Sequence, residues 1–145
     1  MNVYFETSAI IKLVVAEEGS TEASDIWNGA DLLVTSRLSY PEARAALAAA
    51  RRSGRISRRQ LDDAKSALEE RFAEMELIEV SEDVTRSAGD LAELRGLRGY
   101  DAVHLASVLT LGLEDTVMVT WDRDLADAAR RAGLDHAGVP IDQPS

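Results

Sequence analysis

The first dozen residues restrict the fold more than any other stretch. Asn2 to Phe5 (NVYF) reads as a short buried strand that stops at a carboxylate, Glu6. Two hydroxyls, Thr7 and Ser8, follow at once, and then a helix whose apolar residues are Ile10, Ile11, Val14 and Val15. In open α/β sheets, ligands bind outside the carboxyl ends of the strands. An acid at that edge of the first strand is therefore a candidate site residue. The remaining question is whether other acids reach the same edge.

The rest of the chain keeps alternating strands with helical segments. Ser20 is expected to cap a helix running to about Trp27, closed by Asn28-Gly29. Leu32 to Thr35 reads as a second strand, and Ser36 as the cap of a helix carrying Leu38, Ala43, Ala46, Leu47 and Ala50. Pro41 either kinks that helix or marks its start. A basic connector, Arg51 to Arg59, leads into a long helix over about Ser57 to Met75. Glu76 to Val80 is a third strand, and Ser81 caps a helix ending near Arg95-Gly96. Gly99 to Ser107 opens a helix that is apolar almost all round, hence buried, and ends near Gly112. Thr116 to Thr120 is the fourth strand, followed by a helix to about Ala132 with Gly133 as its stop. His136 to Val139 is a fifth, edge strand. This alternation indicates a parallel sheet covered on both faces, in one domain over residues 1–140, with a polar tail over 141–145.

Composition narrows the chemistry. The 145 residues include no cysteine, so disulfides and thiolate metal sites are excluded and a reducing, cytoplasmic setting is expected. No stretch approaches the roughly 20 apolar residues of a membrane span, so no membrane partner is expected. The 16 basic and 26 acidic residues leave a net charge of −10. That opposes tight non-specific binding to nucleic acid, which rests on phosphate neutralisation. It leaves room for an enzyme that grips nucleic acid through a local basic patch and a metal.

Four acids fall where strands end or helices begin: Glu6, Glu42, Asp101 and Asp122, with Asp124 a possible fifth. Each has an ordinary explanation. Asp122 is placed to cap a helix, Asp101 complements a helix dipole, and Glu42 fits a solvated helix face. Glu6 is harder to dismiss, because a carboxylate ending a buried strand is costly unless paired or metal-bound. Gathered at one sheet edge, these acids repel one another, and a divalent cation relieves that repulsion. Oxygen ligands without Cys or a His pair suit Mg²⁺ or Mn²⁺. The chemistry that follows is phosphodiester hydrolysis by metal-activated water.

Four segments together resemble the PIN-domain family, and within it the ribonuclease toxins of VapBC-type toxin–antitoxin pairs. They are Val3 to Leu13, Ser36 to Glu42, Tyr100 to Ala106 (YDAVHLA) and Thr120 to Leu125 with the following AARRAG. The resemblance spans about residues 2 to 139. It implies a three-layer α/β/α sandwich around a mostly parallel five-stranded sheet. It implies a pocket of Glu6, Glu42, Asp101 and Asp122, with Glu6, Asp101 and Asp122 binding Mg²⁺ or Mn²⁺. It also implies endonucleolytic RNA cleavage, a cognate antitoxin and a homodimer. The family's first acid is normally Asp, whereas this chain has Glu6. The added methylene moves the carboxylate by up to roughly 1.5 Å, and a misplacement of about 1 Å can cost on the order of 100-fold in rate. A second reading follows, a PIN-like RNA- or protein-binding module with a weakened or inactive pocket. A haloacid-dehalogenase-like phosphatase or a receiver domain fits less well. The phosphatase needs a nucleophilic Asp after the first strand, and both need a late lysine; no lysine follows Lys65.

Supporting roles are expected for Thr7 and Ser8, which can orient Glu6, touch a phosphate or cap the first helix. Arg95, Arg98 and Arg123 flank pocket acids, and Arg51 and Arg52 belong to the basic connector; all five are candidates for RNA phosphates. His104 reads as a satisfied packing histidine, and Trp121 as a core residue.

Overall fold

The computed structural model describes residues 1–140; the tail expected over 141–145 lies outside them. Its elements are β1 (Asn2–Phe5), α1 (Thr7–Val14), α2 (Ser20–Gly29), β2 (Leu32–Ser36), α3 (Ser39–Arg52), α4 (Arg58–Ala73), β3 (Glu76–Ile78), α5 (Glu82–Arg95), α6 (Gly99–Leu109), β4 (Thr116–Thr120), α7 (Arg123–Arg131) and β5 (Asp135–Gly138). The five strands form one sheet in the order β3-β2-β1-β4-β5. Every pairing is parallel.

Strand period two explains how the sheet is covered. Val3 and Phe5 point to one face, where they join Ile10, Leu47, Leu68 and Val119 in a core roofed by α1 to α4. Tyr4 points to the other face and meets Leu105, Met118, Leu125 and Ala129 beneath α6 and α7. Each large apolar side chain so buried contributes roughly 1.5–3 kcal/mol. β1 and β4 are flanked by strands on both sides and buried on both faces, which is why their centres, Val3 to Phe5 and Val117 to Val119, read as apolar runs. As expected, α6 is mostly buried, including His104 and Leu105 to Val108, although Gly99 and Tyr100 at its start are exposed.

Several boundaries depart from the sequence reading. α2 is capped by Gly19 in a left-handed conformation (φ 92°), not by Ser20. The Ser20 hydroxyl instead accepts from Glu17 N and donates to Val15 O, closing the preceding turn. Ser36 is the last residue of β2; its Oγ accepts from Leu38 N, and α3 starts later, at Ser39. Pro41 falls in the first turn of α3, where its missing N–H costs no helical bond and no kink is needed. β3 stops at Ile78, two residues short of the expectation.

β5 is locked to β4 at the site end of the sheet. Val139 N donates to Thr120 O at 3.0 Å. Gly138 has φ 114°, and a Cβ there would fall 2.2 Å from Thr120 O. A side chain at Gly138 meets both a steric and a backbone penalty, the latter of order 1–3 kcal/mol. Gly138→Ala is therefore expected to destabilise the protein by about 2–4 kcal/mol, read as a lowered urea midpoint with an unchanged slope.

Candidate active site

The strand order reverses direction at β1. From β1 the chain steps outward to β2 and β3, then returns to the other side as β4 and β5. Crevices at such switch points are where open α/β sheets bind ligands. Glu6 leaves the carboxyl end of β1, and Asp122 follows the carboxyl end of β4, its direct neighbour. Asp101 arrives from the first turn of α6 and Glu42 from the first turn of α3.

Glu6 is 7% exposed and held from several directions. It is the N-cap of α1: its Oε2 accepts from Ser8 N at 3.1 Å. Its Oε1 accepts from Ser8 Oγ at 2.5 Å and from Thr120 Oγ1 at 2.6 Å. Those two hydroxyls are fixed in turn, since Ser8 Oγ accepts from Trp121 N and Thr120 Oγ1 from Asp122 N. The loop that carries Asp122 is thus tied to the side chain that positions Glu6.

Asp101 is 5% exposed, and Arg98 Nε lies 3.8 Å from its carboxylate. Burial, and then the charges of Asp122 and Glu6, push its carboxyl up from the ordinary 3.8 to about 6. Arg98 and His104 oppose that rise. The shift shows that the three acids share one field, as expected of like charges gathered in a cleft.

Glu42 lies on the other side. Its Oε1 accepts from Thr7 Oγ1 at 2.8 Å and sits 2.6 Å from His104 Nε2. Burial raises its carboxyl, but the hydrogen bond and charge of His104, with the Thr7 hydroxyl, outweigh that and leave it below the ordinary value.

The four acids thus reach one edge, but not as a finished cage. Among the described residues, no three or more His, Asp or Glu side chains form a group placed to hold a metal ion. The reason is local: Glu6 caps α1, Asp122 caps α7 through Leu125 N at 3.0 Å, and Glu42 is bound to Thr7 and His104. The donor chemistry still fits a hard divalent cation, because oxygen donors are brought together at a cost in mutual repulsion.

The supporting residues divide. Thr7 serves Glu42 and Ser8 serves Glu6. Asp124 is exposed in the first turn of α7, and Arg123 is exposed beside Asp122. Arg98 is exposed between Asp101 and the Tyr100 ring, 5.3 Å from its centroid. Arg95 is not at the pocket: its guanidinium reaches Arg131 O, at the end of α7 remote from Asp122, roughly 13 Å along that helix. Arg51 and Arg52 stand exposed at the far end of α3 from Glu42, again roughly 13 Å along the axis. Thr120 was missed. The signal for it was its place as the last residue of a strand beside β1.

A wholly parallel α/β/α domain with an acidic pocket at its switch point defines the class. The PIN domain family matches residues 3–131. Ribonuclease VapC45 of Mycobacterium tuberculosis (strain CDC 1551 / Oshkosh) is 44% identical over 140 residues, covering 97% of each chain. This chain belongs to the PIN-domain family, among the VapC proteins. Solved structures share the fold. PAE2754 from Pyrobaculum aerophilum superposes with a TM-score of 0.70 at 22% identity, over 94% of this chain and 92% of its own. VapBC2 from Rickettsia felis, solved with a DNA fragment from its promoter, gives 0.65 at 14% identity, over 97% of this chain and 100% of that one.

The Asp101 shift has a consequence for stability in the absence of metal. Between pH 3.8 and about 6 the folded chain holds a proton on Asp101 that the unfolded chain releases. Stability from this group therefore falls as pH rises through that window, and the full penalty stands above about pH 6. Asp101→Asn removes it. In thermal melts without divalent metal, the variant is expected to gain in Tm over the parent at pH 8, with the gain shrinking towards pH 4.

Proposed function

We propose that the chain is a metal-dependent endoribonuclease, the toxin of a toxin–antitoxin pair, which hydrolyses RNA phosphodiesters. The observation that carries this reading is that Glu6 and Asp122 follow the carboxyl ends of the neighbouring strands β1 and β4, at the switch point of the sheet, with Asp101 in the first turn of α6. The 44% identity with a protein named a ribonuclease supports the same chemistry. Nothing in the site favours the alternative of a binding module with a spoiled pocket. The longer Glu6 side chain is held by Ser8 and Thr120 rather than left loose.

Glu6, Asp101 and Asp122 are the residues that would hold Mg²⁺ or Mn²⁺. When bound, such an ion supplies a water acidic enough to act as nucleophile at neutral pH and a counter-charge for the phosphate. Glu42, ionised and oriented by its hydrogen bonds, aligns the attacking water. Arg98 and Arg123 stand exposed beside the acids, where guanidinium forks suit the RNA backbone. An antitoxin partner is supported by the VapBC2 pair among the structural neighbours. A homodimer completes the reading. No helix among the described residues is long and apolar enough to cross a membrane.

Cleavage of a mixed RNA substrate by the antitoxin-free protein tests this directly. Cutting is expected with Mg²⁺ or Mn²⁺ and not with chelator. Asp101→Asn is expected to lower the rate by about 100-fold or more, the scale of losing one group that stabilises transition-state charge. Cutting that persists in chelator, or survives Asp101→Asn undiminished, would count against the reading.

A further inference from the structure

Beneath the acids lies a polar pair that this chemistry leaves without a role. Tyr4 and His104 are each 0% exposed. The Tyr4 hydroxyl lies 2.7 Å from His104 Nδ1, and His104 Nε2 lies 2.6 Å from Glu42 Oε1. Burying an imidazole and a phenol is costly unless both are hydrogen-bonded, and apolar residues of similar shape would fill the space as well. Packing alone therefore does not account for the pair. The order of contacts does. β1 supplies Tyr4, α6 supplies His104, α3 supplies Glu42, and α1 adds Thr7.

The contacts also fix the histidine proton. Nδ1 faces the Tyr4 hydroxyl, and because the Glu42 carboxylate can only accept, Nε2 carries the hydrogen that faces it. Two donors, His104 Nε2–H and Thr7 Oγ1–H, then converge on Glu42 Oε1, while Oε2 takes no hydrogen bond from the described residues. A glutamate on a helix surface has several rotamers, and only some would place its oxygen usefully. Fixing one in advance removes that search from the reaction. α6 thus delivers Asp101 to the pocket and, one turn further on, the histidine behind the pocket's fourth acid.

We propose that His104, itself held by Tyr4, is a positioning residue that locks the Glu42 carboxylate through Oε1, so that Oε2 is presented to the attacking water. This rests on the nuclease reading above. The role is indirect, since His104 is sealed from the cleft.

The test is a set of single-turnover RNA cleavage rates at enzyme excess, which keeps slow variants measurable. The proteins are the parent, Tyr4→Phe, His104→Gln, His104→Leu, Glu42→Ala and the His104→Leu/Glu42→Ala double variant, each checked by thermal melting. His104→Leu is expected to lower the maximal rate by about 10–100-fold, as loss of a supporting hydrogen bond does at comparable sites. The half-saturating concentration should stay within about twofold. His104→Gln keeps an N–H for Glu42 and should recover part of the rate. Tyr4→Phe removes one oxygen without changing the packing and should show a smaller loss in rate alone. In the Glu42→Ala background, His104→Leu should change the rate by less than about twofold, because nothing remains to be positioned.

Equal losses from His104→Leu in both backgrounds, or no loss in either, would overturn the proposal. If His104→Leu does not fold, Tyr4→Phe and His104→Gln decide. Rates equal to the parent in Tyr4→Phe, with no better rate in His104→Gln than in Glu42→Ala, overturn it as well. A parent that itself shows no metal-dependent cutting instead removes the nuclease reading on which the proposal stands. The two failures are therefore distinguishable.

Discussion

Three donors hold the Glu6 carboxylate where β1 ends: Ser8 N, Ser8 Oγ and Thr120 Oγ1. An acid at that depth, 7% exposed, would otherwise carry a large desolvation penalty. The same bonds start α1 and tie the end of β4 to the end of β1. Local helix capping, strand pairing and pocket assembly are thus served by one side chain. The extra methylene of glutamate is accommodated in this arrangement, since the carboxylate reaches both the first turn of its own helix and the neighbouring strand. Thr7 and Ser8, adjacent in sequence, divide between two acids: Ser8 turns to Glu6 and Thr7 to Glu42.

Much of this was legible in the sequence because period and punctuation agreed. The centres of β1 and β4, Val3 to Phe5 and Val117 to Val119, are apolar and buried, and Ser81 and Asp122 cap helices as their positions suggest. The four acids could be assigned to one edge because each follows a strand or opens a helix. Less legible were the starts of α2 and α3. There Gly19 in a left-handed conformation and Leu38 took the cap places expected for Ser20 and Ser36, whose hydroxyls are engaged in turn hydrogen bonds instead. Side-chain direction was the least legible feature. Arg95 follows the sequence rule of lying near a pocket acid, yet its guanidinium turns to the far end of α7. His104 was read as a packing residue. It is fully buried, but its Nε2 reaches a pocket acid that lies 62 positions away in sequence. No spacing rule reports such a contact.

The acidic pocket and the net charge of −10 act in the same direction on a polyanionic substrate. Approach of RNA depends on local cations rather than on the overall field, so Arg98 beside Asp101 matters more than the total count of arginines. The same guanidinium lowers the carboxyl of Asp101 while burial and the other acids raise it. One cation therefore moderates the repulsion in the pocket and remains exposed to a ligand outside it.

The outermost strands of the sheet are short. β3 runs for 3 residues and β5 for 4, and Pro140, which has no N–H to offer, stands just past β5. An exposed strand edge is a template on which other chains can add. Here each rim offers only a few open backbone groups, and one of them ends in a glycine bend and a proline. The sheet is poorly suited to growing by one more strand, so the described domain resists edge-to-edge polymerisation even when no other protein shields it.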